Sequence, residues 1–222
     1  MTRPVTSSGC FTSFRDRQAK GLFITFEGID GCGKSTQALR LVEFLQQKKG
    51  AGKVLWTREP GGWPGSGHLR EMLLSQELEH PWTEVFLFLA DRCEHARRVI
   101  EPALEEGITV ICERFDDSTR AYQVWGRGLE LEKIERALLL GEYPRPDRTI
   151  LLDISVETAL ARVSARADLD RYEREGRSFL ERVSEGYRYL AVRDTGRICQ
   201  VNGEGHPEQV FGRILDSLEG CL

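Results

Sequence analysis

Long apolar runs are missing from this chain. The longest, VFLFLA at Val85–Ala90, falls well short of the ~18 residues needed to span a bilayer, so it reads as core-sized and no membrane association is expected. Cysteine spacing is equally uninformative. Cys10, Cys32, Cys93, Cys112, Cys199 and Cys221 include no Cys-x-x-Cys pair and are accompanied by only four histidines, which indicates neither a disulfide framework nor a zinc site. Reduced thiols and a cytoplasmic protein are the expectation. Positive charge is not in excess either: 31 Lys and Arg against 35 Asp and Glu leave a net charge of -4. A nucleic-acid partner is therefore not expected, and any bound anion must be held by local charge. Nothing marks a second domain, and 222 residues suffice for one full sheet-and-helix core.

Residues 1–20, MTRPVTSSGCFTSFRDRQAK, are rich in Ser, Thr and Arg, with a single acid and no sustained amphipathic period. They read as a flexible extension to a single domain at 21–222, with an organelle transit peptide as the other compositional reading. Beyond them, short apolar segments alternate with longer helical ones. LFITFE (Leu22–Glu27), KVLWTRE (Lys53–Glu59), ITVICE (Ile108–Glu113), TILLDI (Thr149–Ile154) and RICQVN (Arg197–Asn202) are of strand type. Between the first two, Ala38, Leu41, Val42 and Leu45 share one face of a helix predicted over Ser35–Lys49. Near-continuous apolar strands separated by helices imply a parallel sheet covered on both faces. Such an α/β fold binds ligands at the C-terminal ends of its strands.

FEGIDGCGKST (Phe26–Thr36) occupies that place. Gly28, Gly33, Lys34 and Ser35 fit Gly-x-x-x-x-Gly-Lys-Ser/Thr, set between a strand and a helix. Glycines let successive backbone N–H groups of Gly28, Ile29, Asp30, Gly31, Cys32, Gly33, Lys34, Ser35 and Thr36 face phosphate oxygens, and the helix N-terminus adds partial positive charge. Lys34 is expected on the β- and γ-phosphates and Ser35 on Mg²⁺. Cys32 places a thiol in this electropositive loop, where it either gains reactivity, read as nucleotide-protected alkylation, or merely fills a position tolerant of small residues. No Asn-Lys-x-Asp guanine reader occurs, which weighs against a GTPase.

Four further segments make the resemblance specific. TREPGGWPGSGHLREMLL (Thr57–Leu74), FLFLADR (Phe86–Arg92), ERFDDSTRAYQ (Glu113–Gln123) and LDRYE (Leu169–Glu173) resemble, in order and spacing, the motifs of thymidylate kinases. The resemblance implies a P-loop NTPase fold of three layers, a five-stranded parallel sheet flanked by helices, with a lid at about 162–177. It also implies Mg²⁺-dependent phosphoryl transfer from ATP to dTMP in a homodimer. Asp30 then corresponds to the carboxylate near the acceptor's sugar and phosphate end, which helps hold the metal through water, and Arg114 to the arginine that grips the monophosphate. Phe88, which the residues alone leave divided between core and ligand, becomes the platform for thymine. Arg92, on the same helical face, donates to the base O4. Thr119 reads the N3 edge and Tyr122 packs beneath the sugar. Arg70 faces the base pocket or lies on a helix surface.

Within the family the catalytic arginine comes either from the phosphate loop or from the lid, and the loop residues Ile29, Asp30, Gly31 and Cys32 include none. Arg166 and Arg171 are therefore assigned to the transferred phosphoryl group in the closed state, with Arg162 next, and Glu173 positions substrate or metal. Two positions depart from the pattern. Glu113 replaces a common aspartate, with a role either around Mg²⁺ or against Arg114. Trp63 replaces a small hydroxyl residue and either narrows the acceptor pocket or caps its loop. The alternatives are a kinase for another nucleoside monophosphate, such as dUMP or a cytidylate, and a non-catalytic nucleotide-dependent switch.

Overall fold

The structure, a computed structural model, describes residues 21–164, 171–172 and 174–222. Among them, β1 (Phe23–Glu27), β2 (Val54–Arg58), β3 (Thr109–Glu113), β4 (Arg148–Asp153) and β5 (Ile198–Asn202) form one parallel sheet in the order β2-β3-β1-β4-β5. Each strand begins and ends within one residue of its sequence expectation. The reason is plain in β1 and β3, where every residue is buried: strands covered on both faces carry no polar alternation to blur their limits. Even the polar Thr25 is satisfied inside the sheet, its hydroxyl 2.7 Å from that of Thr149.

Helices flank the sheet. α1 (Lys34–Lys49) starts directly after the glycine loop and ends at Gly50 with Lys48 and Lys49 in its last turn, where cations favour the helix dipole. Its Ala38, Leu41, Val42 and Leu45 are buried, and each fully buried large aliphatic side chain contributes roughly 1.5–3 kcal/mol. α2 (Gly67–Ser75) and α3 (Pro81–His95) follow β2; α3 continues through a π-helical stretch, Ala96–Ile100, into α4 (Glu101–Glu105). After β3 come α5 (Asp116–Thr119), a second π-helical stretch at Arg120–Gly126, and α6 (Leu131–Leu139). α7 (Val156–Ser164), α8 (Arg177–Arg193) and α9 (Pro207–Ser217) complete the chain.

The VFLFLA run is less buried than its composition suggests. Val85 is fully enclosed, but Phe86 is 61% exposed and tilts against Trp82 at a 5.8 Å centroid distance. On a helix this run faces all directions in turn, so only part of it meets the core. No helix among the described residues is long and apolar enough to cross a membrane.

Candidate active site

The strand order sets the site. β1 lies at the centre, with β3 on one side and β4 on the other, so the loop after β1 opens at the point where the connections diverge. Two loop glycines are required by contact as well as conformation. Gly28 has φ 136°, and a Cβ there would lie 2.6 Å from the Leu152 carbonyl oxygen and 2.8 Å from Cys32 Sγ. At Gly31, φ is 83° and a Cβ would lie 2.5 Å from the Ala159 carbonyl oxygen, because α7 packs directly on the loop. Lys34 Nζ folds back to donate to the carbonyls of Gly28 and Ile29, both at 3.0 Å.

Glu113 ends β3 in register with Phe26, and its position resolves one departure from the expected pattern. Its Oε2 accepts from the Ser35 hydroxyl at 2.5 Å and its Oε1 from Trp56 Nε1 at 2.9 Å. The longer side chain therefore reaches across to the loop, toward Ser35 and not Arg114. Trp63 is resolved as well: its Nε1 donates to Asp91 at 2.9 Å and its carbonyl accepts from the Ser66 hydroxyl at 2.6 Å. It caps its own loop and lines neither cleft described below.

Arg114 is the pivot. It adopts φ 64°, a costly conformation for a residue with a side chain, which turns the guanidinium back toward the loop. Nη2 pairs with Asp30 Oδ1 and donates to the Tyr122 hydroxyl at 3.1 Å. Nη1 makes longer contacts of 3.3–3.5 Å to Gly28, Ser118 and Tyr187. Asp30 Oδ2 accepts from the Tyr122 hydroxyl at 2.8 Å, and Lys34 lies 4.0 Å from Oδ1. Burial pushes the Asp30 carboxyl up, but Arg114, Lys34 and the Tyr122 hydrogen bond outweigh it and hold the carboxyl at about 2. Asp30 is an anion at any working pH.

Two clefts meet at this pair. One is lined by Phe88, Arg92, Thr119, Tyr122, Gln123 and Tyr172 among others, an aromatic wall with a few convergent polar groups of the kind that binds small ligands. The second holds Lys34, Ser35, Thr36, Arg58, Arg70 and Glu113. Asp30, Glu59, Pro60, Leu74 and Arg114 line both. Arg70 donates to the Pro60 carbonyl, so it stands on the loop side of the junction instead of in the first cleft. At the floor of the first cleft Arg92 is 1% exposed and donates to Glu59 at 2.8 Å, Thr119 Oγ1 at 3.0 Å and the Phe115 carbonyl at 2.9 Å. Burial lowers the basicity of its guanidinium, while Glu59, Tyr143 and Asp116 raise it further than burial lowers it. Glu59 in turn accepts from His95 Nδ1 at 2.9 Å.

The lid expectations divide. Arg166 and Glu173 lie outside the described residues. Arg171 is held by Glu84 at 2.7 Å and donates to the Tyr172 hydroxyl at 2.9 Å. Arg162, near the end of α7, donates to the Gly31 carbonyl of the loop at 3.3 Å. Cys32 is 2% exposed and lies against Gly28, so alkylating reagents have no route to it in this structure. Sequence reasoning missed Gln123, Tyr172 and Glu84. The signal for Gln123 was its place four residues after Thr119, on the same helical face.

A family model described as thymidylate kinase matches residues 26–214. The thymidylate kinase of Trichlorobacter lovleyi is 44% identical over 207 residues, covering 89% of this chain and 96% of its own. That of Pseudomonas fluorescens is 45% identical over 203 residues, covering 89% and 94%. The crystal structure of thymidylate kinase from Ehrlichia chaffeensis superposes with a TM-score of 0.76 at 32% identity, covering 90% of this chain and 99% of that one. Matched by the family model over most of its length and by relatives at 44–45% identity, the chain belongs to the thymidylate kinase family.

Proposed function

We propose that the protein transfers the γ-phosphoryl group of ATP to the 5′-monophosphate of dTMP, giving ADP and dTDP. The observation that carries this reading is the sharing of Asp30 and Arg114 by the two clefts. A donor phosphate on the loop and an acceptor phosphate on Arg114 are thereby brought to one point, and positioning is most of what phosphoryl transfer requires.

The backbone N–H groups of residues 28–36 and Lys34 hold the donor phosphates. Ser35 and Glu113 supply hard oxygen atoms at the helix N-terminus, in contact at 2.5 Å, and such a pair fits Mg²⁺ held through the hydroxyl and through water. When bound, Mg²⁺ neutralises charge on the β- and γ-phosphate oxygens. Arg114 presents its loosely engaged Nη1 edge to the acceptor phosphate, and Asp30 fixes that guanidinium while facing the sugar end. Phe88 stacks on the base, Arg92 donates to O4, Thr119 and Gln123 face the N3 edge, and Tyr122 underlies the deoxyribose. Arg166 and Arg171 supply charge to the transferred group in the closed state, with Arg162 the next candidate, and Glu173 positions substrate or metal.

The five described cysteines are free thiols, which suits a cytoplasmic setting. The exposed Phe86 on α3, beside the half-buried Trp82, suits a homodimer contact. The test is ADP release from ATP with dTMP, dUMP, dCMP and AMP in turn. Preference for dTMP is expected; release with none of them overturns the reading and favours a switch.

A further inference from the structure

Glu84 lies on α3 outside the motifs that carry the reaction, yet it is heavily engaged and bonds Gln123 and Tyr172 of the first cleft's lining. It is 2% exposed. Its Oε1 accepts from Arg171 Nη1 at 2.7 Å and Arg127 Nη2 at 3.1 Å, and its Oε2 from Gln123 Nε2 at 3.2 Å, Arg127 Nε at 3.2 Å and the Tyr172 hydroxyl at 3.3 Å. Four residues thus aim five donor atoms at one carboxyl group.

We propose that Glu84 is a positioning residue that fixes the side-chain amide of Gln123 and thereby selects acceptor bases carrying a proton on N3. An amide has a donating end and an accepting end, and the surrounding network decides which points where. Glu84 takes the nitrogen of Gln123, so the carbonyl oxygen is the end left for the cleft. Gln123 is 1% exposed and lines that cleft together with Arg92 and Thr119. A thymine or uracil edge offers an acceptor at O4 and a donor at N3. Arg92 supplies a donor to the first and Gln123 an acceptor to the second. Cytosine offers the reverse, a donor at its 4-amino group and a lone pair at N3, so both contacts become repulsive.

Glu84→Gln removes the constraint. A glutamine at this position offers Gln123 either an oxygen or an N–H, so both orientations of the Gln123 amide find a partner. The proposal rests on dTMP being the acceptor, which is measured first on the wild-type protein with dTMP and dCMP as the probes. Glu84→Gln is expected to lower the ratio of kcat/KM for dTMP to that for dCMP by ~10-fold or more. In a Gln123→Met background the same change is expected to leave that ratio where it stands, because Glu84 acts through Gln123. A structural role alone lowers both activities and the Tm together, and an unchanged ratio overturns the proposal. Should Glu84→Gln fail to fold, Glu84→Asp keeps the charge facing Arg127 and Arg171 but withdraws the carboxylate by ~1.5 Å. It carries the same expectation, and an unchanged ratio there is equally decisive. Wild-type protein that phosphorylates neither nucleotide refutes the acceptor assignment itself, an outcome visible before any variant is made.

Discussion

Glu27, the last residue of β1, makes the site sensitive to pH in a direction unusual for an acid. Its carboxyl lies beneath Arg114, where Oε1 accepts from the Phe115 N–H at 2.7 Å and Oε2 from the hydroxyls of Ser118 at 2.6 Å and Tyr187 at 2.9 Å. Burial, and next the nearby Asp117 carboxyl, push it up from 4.5 to about 7, against the lowering effects of Ser118, Arg114 and Tyr187. A folded-state pKa above the unfolded one means that the folded chain holds a proton the unfolded chain has released. The stabilisation is complete below 4.5, declines as pH rises, and is lost above about 7. At about 1.4 kcal/mol per pH unit, the span from 4.5 to about 7 corresponds to about 3 kcal/mol.

Glu27→Gln tests this without emptying the site. The glutamine oxygen can accept from Phe115 while its N–H group donates to the Ser118 and Tyr187 hydroxyls, which rotate to accept. Relative to wild type, the variant is expected to gain about 3 kcal/mol between pH 4.5 and 8, or about 6–12 °C in Tm for a domain of this size. The assay is thermal unfolding of both proteins across that range, with the difference between them cancelling every other titrating group. A Tm difference that stays constant with pH refutes the reasoning.

Arg114→Met is expected to lower kcat/KM for dTMP by ~10³ through loss of charge-assisted hydrogen bonds, and to destabilise the fold by leaving Asp30 short of a partner; unaltered steady-state kinetics contradict the pivot role. Ser35→Ala is expected to lower kcat by ~10² and raise the Mg²⁺ concentration needed for half-maximal rate, read from a metal titration; an unshifted titration removes Ser35 from the metal site. Arg166→Ala or Arg171→Ala is expected to lower kcat by ~10³ with a smaller change in the KM for ATP. Near-normal turnover in both variants removes the lid from catalysis and directs attention to Arg162.

The strands, the phosphate loop and most of the first cleft were legible because each is a local pattern. β1 and β3 announce themselves by unbroken apolar character, and Phe88 with Arg92, or Thr119 with its neighbours, by helical spacing. What could not be read depends on partners distant in sequence. Arg171 reads as a free lid charge until the fold brings Glu84 against it, and Glu84 itself looks like an ordinary helix acid before an apolar run. The burial of Cys32 follows from Gly28 lying against it and from α7 covering the loop, neither of which spacing records. Glu113 was ambiguous between the metal site and Arg114, and its contacts to Ser35 and Trp56 form only once β3 stands between β1 and β2.

The central claim is direct transfer between two clefts that meet at Asp30 and Arg114. It is tested most directly by following a γ-phosphoryl group made chiral with oxygen isotopes and sulfur from the donor nucleotide in the presence of dTMP. The account predicts that the label appears in the β-position of dTDP with inverted configuration, as a single in-line displacement requires. Retention of configuration, or label released as free thiophosphate with dTMP unchanged, contradicts it.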